Sequence, residues 1–138
     1  WLTVPVEQKN RYTQLLKETR IDNSINWNKK HCETIRLNYC RAPFFEKYYP
    51  YFESVYSKQW EFLLDLCYET TEYLMEVLNI TTPTSKSSDL SVKGAKADLI
   101  LNLCQKVGAT HYLTGGLARD YLTEEDFSQK GIDLVACQ

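Results

Sequence analysis

His111-Tyr112-Leu113-Thr114-Gly115-Gly116-Leu117-Ala118-Arg119-Asp120-Tyr121-Leu122 reads as a short buried strand, a glycine pair, and then a helix opening on an Arg-Asp pair. Glycines at such a junction let the backbone turn sharply and approach a ligand, because they carry no Cβ. The N–H groups at the start of the following helix offer partial positive charge to an anion. In open α/β sheets, ligands bind outside the carboxyl ends of the strands, which is where this turn falls.

Working outward from this stretch, Thr123-Glu124-Glu125-Asp126 has the form of a capped, acidic first helical turn, and Gly131 closes that helix. Ile132 to Ala136 is a further strand. On the other side, Gly94 precedes a helix with Leu99, Ile100, Leu103, Cys104 and Val107 facing inward, ended by Gly108. Ile80-Thr81-Thr82-Pro83-Thr84 is strand-like in its β-branched content, and Ser85 to Asp89 follows as a loop. From residue 80 to 138 the order is therefore strand, helix, strand, helix, strand, with short connections. That alternation predicts parallel βαβ units in a Rossmann-like α/β sheet.

Residues 7 to 79 form a helical, aromatic-rich elaboration of that single α/β domain. Helical spacing runs from Glu7 to Thr19. Asn28 is placed to cap a helix in which His31, Ile35 and Tyr39 share a face, and Pro43 limits it. The aromatic run from Phe44 to Tyr56 is read as packing material between neighbouring elements. Residues 57 to 79 form the longest helix, with Trp60, Leu63, Leu64, Cys67, Leu74 and Leu78 as its apolar stripe. A second, partly apolar side carries Phe62, Leu66, Tyr73 and Val77.

The 138 residues suffice for one domain with a core, and 43% apolar with 25% charged residues is ordinary for a globular chain. A net charge of -2 without a basic cluster gives no electrostatic support to nucleic-acid binding. No apolar run approaches the roughly 20 residues of a membrane-spanning helix. The opening Trp1-Leu2-Thr3-Val4-Pro5-Val6 has the composition of a buried strand, and core strands seldom begin a domain. The expectation is that this chain is the later part of a longer protein. Five widely separated cysteines, with no C-x-x-C pair, read as reduced thiols in a cytoplasmic protein, with Cys67 and Cys104 in the core.

Three clusters carry candidate chemistry. Gly115 and Gly116 with Arg119 and Asp120 suit a phosphate or ribose, held by backbone N–H groups and the guanidinium; a tight turn with a solvated Arg-Asp pair is the competing reading. Ser87 and Ser88 beside Lys86 suit phosphate contacts, or simply cap the next element. Lys29-Lys30-His31 lies in the first turn of its helix. An inward His31 can act as an acid or base, although a core histidine with one hydrogen bond is the commoner outcome. Two histidines leave no metal cluster and no Ser-His-Asp arrangement to argue from spacing.

Trp1 to Val6, Trp27 with Lys29-Lys30-His31, Ala42-Pro43-Phe44-Phe45-Glu46 with Tyr48-Tyr49-Pro50, Ser87-Ser88-Asp89-Leu90, and Tyr112 to Gly115 with Ala118 to Leu122 resemble the WbqC-like protein family of bacteria. The resemblance covers essentially the whole chain in order. It implies a place in O-antigen and other surface-polysaccharide pathways. The family's usual opening, a strand with a Gln-Pro-Asn-Tyr-x-Pro-type loop followed by an Asp-rich strand and an Asn-Arg motif, is not present.

The expectation is thus a transferase or nucleotide-dependent ligase acting on a nucleotide-linked sugar. Lys30, Ser87, Ser88, Gly115, Gly116 and Arg119 would hold phosphates or a carboxylate, with His31 or Asp120 as acid or base. ATP or a nucleotide sugar is the expected small-molecule partner. The alternative is a non-catalytic binding or scaffolding module, in which case the aromatic surface around Tyr48 to Tyr56 should be exposed.

Overall fold

The computed structural model describes residues 2–8, 13–115 and 122–136, arranged as two compact units, Trp1–Thr81 and Thr82–Gln138. The first unit is built on three helices: α1 (Trp27–Tyr39), α2 (Phe45–Ser57) and α3 (Leu63–Val77). Its core is Ile21, Trp27, Val55 and Leu66, walled by Val4, Tyr51, Tyr56, Trp60 and Leu63. The aromatic run is α2 itself, with Pro50 inside it. Its rings do the expected packing: Tyr51 stacks on Tyr73 of α3 with centroids 3.4 Å apart, and Tyr51 Oη donates to the Glu69 carbonyl at 3.0 Å.

Several expectations for this unit are corrected. The segment 2–8 is not a core strand: it makes a single antiparallel bridge, Val6 to Ile21, and Leu2 is exposed. Of the helix expected from Glu7 to Thr19, the described residues contain only a 3-10 turn at Leu16–Glu18, whose leucine faces solvent. In α3 the inward side is the one carrying Leu66, while Cys67, Leu74 and Leu78 are exposed. Both sides of that helix are apolar enough to serve. The side bearing Leu66 and Tyr73 wins because it meets Tyr51, Phe52 and Val55 of α2.

The second unit contains α4 (Lys96–Lys106), β1 (His111–Thr114), α5 (Glu124–Ser128) and β2 (Asp133–Ala136). The two strands pair in parallel, with His111 opposite Asp133 and Thr114 opposite Ala136. This is a mixed α/β arrangement, with one strand–crossover–strand unit among the described residues. The wider Rossmann-like sheet is not found in them, because residues 80–86 form no strand. Their β-branched side chains lack a partner strand, and β-propensity alone does not make a ladder.

Phe127, fully buried, and Ile132 anchor the core of this unit with Leu101, Cys104 and Leu122. Thr123 caps α5, its hydroxyl accepting from Asp126 N–H at 3.2 Å. Gly94 has φ +137°, and a Cβ there would stand 3.0 Å from the Leu99 nitrogen, so glycine is required before α4. Among the described residues, no helix is long and apolar enough to cross a membrane.

Candidate functional site in the first turn of α1

Asn26-Trp27-Asn28-Lys29-Lys30-His31 starts α1, and its local chemistry is unusual. Asn26 stands at the N-cap but makes no side-chain capping bond, and no acidic residue lies in the first turn. Asn28, the expected cap, is instead one residue inside the helix; its side chain donates to the Tyr56 carbonyl at 3.1 Å and accepts from the Lys29 N–H. Two lysines at the positive end of a helix oppose its macrodipole, which favours anions there. The first turn therefore concentrates positive charge with no carboxylate of its own to offset it.

A cavity of about 570 Å³ opens at this turn, lined by Leu2, Thr3, Pro5, Ile25, Asn26, Trp27, Lys30, His31 and Thr34. Apolar side chains form much of its wall. Lys30 is exposed and makes no ion pair among the described residues, so its ammonium is available. A second cavity, of about 550 Å³, is lined by Arg20, Asp22, Asn23 and Glu61 among others. There the cation is already engaged, because Arg20 pairs with Glu61 and lies over the Phe62 ring.

His31 is 5% exposed. Its Nε2 lies 3.1 Å from the Thr3 carbonyl. A carbonyl only accepts, so Nε2 carries the proton and donates. In the neutral ring Nδ1 is then a bare lone pair, buried and without a partner among the described residues. Trp27 and Tyr56 meet the ring edge-on, with centroids at 5.3 and 5.6 Å, and fix its plane. Burial pushes the imidazole below its ordinary value of 6.5; the bond to Thr3 works against this, and the charge on Lys30 adds to it. The result is a neutral base whose tautomer and orientation are set by a carbonyl and two rings.

The other expected site residues fall in the second unit. Gly115 follows β1, with φ outside the left-handed region and open space where a Cβ would stand. The conformational freedom argued for it is not used. Ser87 and Ser88 lie in an exposed turn, where Ser88 Oγ donates to Asp89 at 3.1 Å and the Asp89 N–H reaches the Lys86 carbonyl. Gly116, Arg119 and Asp120 lie outside the described residues. Lys30 and His31 are thus the two expected residues that one cavity brings together. Thr3, which sets the tautomer of His31, was missed, since only a long-range contact reveals it.

Among the described residues, no group of three or more His, Cys, Asp or Glu side chains could hold a metal ion. Cys104 is buried, whereas Cys67, expected in the core, is exposed on α3. Tyr49 and Tyr51, expected to be exposed in a scaffolding module, are half-buried.

The chain is 32% identical over 133 residues to the "Uncharacterized protein Rv1507c" of Mycobacterium tuberculosis, a match covering 96% of this chain. It spans 57% of the length of that curated relative. No solved structure gives a significant match. The model of the WbqC-like protein family matches residues 1–138 from end to end, and the chain belongs to that family.

Proposed function

We propose that this chain works in the assembly of bacterial surface-polysaccharide precursors, as a transferase or nucleotide-dependent ligase acting on a nucleotide-linked sugar. The observation that carries this reading is the pairing of Lys30 with a neutral, oriented His31 in the wall of one cavity. A transfer of this class needs a phosphate or carboxylate held electrostatically and a hydroxyl or amine relieved of its proton. Lys30, at the positive end of α1, serves the first need. His31 Nδ1 serves the second, held in place by the Thr3 carbonyl much as a base is held by a third group in other catalytic arrangements. Arg119 and Asp120 are proposed as anion-binding and acid/base residues in their own right.

The scaffolding alternative asks for an exposed aromatic surface. Phe44 supplies one exposed ring, but Tyr49 and Tyr51 are engaged in packing, which favours the enzyme.

The test is complementation of a bacterium lacking the full-length protein, with surface polysaccharide read on a carbohydrate-stained gel. Wild type should restore the polysaccharide, and Lys30→Ala at equal protein level should not. Full restoration by both Lys30→Ala and Arg119→Ala would remove the assignment.

A further inference from the structure

Three features at the start of α1 point to a ligand site. Its first turn holds two lysines and no acid, which is the electrostatics of an anion site. The adjoining cavity is large enough for a molecule of a dozen or more heavy atoms, since pockets that bury small ligands begin at about 300 Å³. Finally, His31 in its wall holds a buried acceptor that nothing described satisfies. Leaving such an atom unpaired costs about 1–3 kcal/mol, so it marks a place where a hydrogen-bond donor belongs.

We infer that this cavity binds a polyhydroxylated phosphate, a sugar phosphate or the sugar-phosphate part of a nucleotide sugar. In this arrangement the phosphate lies against the Lys30 ammonium at the positive end of α1, and one ring hydroxyl donates to His31 Nδ1. Leu2, Pro5, Ile25 and Trp27 supply the apolar wall against which a sugar's C–H face packs. Nδ1 is screened from bulk water, so the wall must shift aside for the donor to reach it. Inorganic phosphate satisfies Lys30 but cannot bridge to His31, and a free sugar does the reverse; the ligand must carry both groups. The choice of a sugar phosphate as the ligand rests on the proposed role in sugar-precursor chemistry.

The experiment is calorimetric titration of the full-length protein with glucose 1-phosphate, inorganic phosphate and glucose. Saturable binding of glucose 1-phosphate, at least about tenfold tighter than either fragment, is expected. Lys30 is exposed, so Lys30→Gln folds normally, and it should weaken binding about tenfold or more. His31→Gln retains an amide donor for the Thr3 carbonyl but loses the Nδ1 acceptor, and it should weaken binding about five- to tenfold. Equal affinity for glucose 1-phosphate and inorganic phosphate, or undiminished binding by Lys30→Gln, would overturn the inference. Sugar-phosphate binding in a protein whose Lys30 variant still restores polysaccharide would keep the ligand class and separate this cavity from the pathway role.

Discussion

His31 Nε2 donates to the carbonyl of Thr3 across 3.1 Å, joining α1 to the extended segment that precedes it by more than twenty residues. This one bond sets the tautomer of the imidazole, leaves Nδ1 bare, and fixes one wall of the cavity beside Lys30.

Stability should depend on pH through His31. Its value in the folded chain lies below the ordinary 6.5, so the unfolded chain takes up the proton first as pH falls. The contribution of the neutral ring is therefore fully present above about pH 7 and declines as pH drops below about 6.5. It levels off once the native ring is protonated as well. Urea midpoints measured across this range should fall for the wild type and fall less for His31→Gln. Equal slopes in the two proteins would remove His31 as the titrating group.

Phe44 sits at φ 65° with its side chain 72% exposed, a left-handed conformation that costs a bulky L-residue about 1–2 kcal/mol. Phe44→Gly should relieve that strain, partly offset by the greater freedom of glycine in the unfolded chain. A net gain of about 1 kcal/mol in urea unfolding is expected. A loss would mean that the contacts of the Phe44 ring outweigh its backbone strain.

Thr123→Ala should cost about 1 kcal/mol, because it removes the hydroxyl that accepts from the Asp126 N–H at the start of α5. Amide exchange should quicken at residues 124–128. Unchanged exchange there would show that the cap is dispensable.

Gly94→Ala should destabilise by more than about 1 kcal/mol, since the new Cβ meets backbone atoms of Asp98 and Leu99 at 3.0–3.2 Å and φ +137° is unsuited to alanine. Thermal melting of the variant tests this directly, and a wild-type melting temperature would contradict it.

The parts of this chain that were legible in its sequence are those decided locally. The position of the strand at His111 to Thr114, though not its expected burial, since Leu113 is exposed, follows from neighbours a few residues apart, as do the Thr123 cap and the helix ended before Gly108. The parts that were not legible depend on distant partners. Residues 80–84 look like a strand until no partner is found for them, and α3 has two apolar sides between which only α2 decides. The aromatic run concealed a helix because Pro50 and its rings are weak helix formers, yet packing against Tyr73 and Leu66 holds α2 together. At the candidate site, Lys30 and His31 were visible as residue types on a helix start. The feature that makes His31 a bare, oriented base was not, because Thr3 reaches it from another part of the chain.

The central claim is that His31 presents an unpaired Nδ1 awaiting a ligand donor, and imidazole nitrogen NMR of the full-length protein at pH 7 tests it most directly. The account predicts a neutral ring protonated on Nε2, whose Nδ1 signal shifts when glucose 1-phosphate is added and stays in place in Lys30→Gln. A ring protonated on Nδ1, or an Nδ1 signal indifferent to the sugar phosphate, would contradict it.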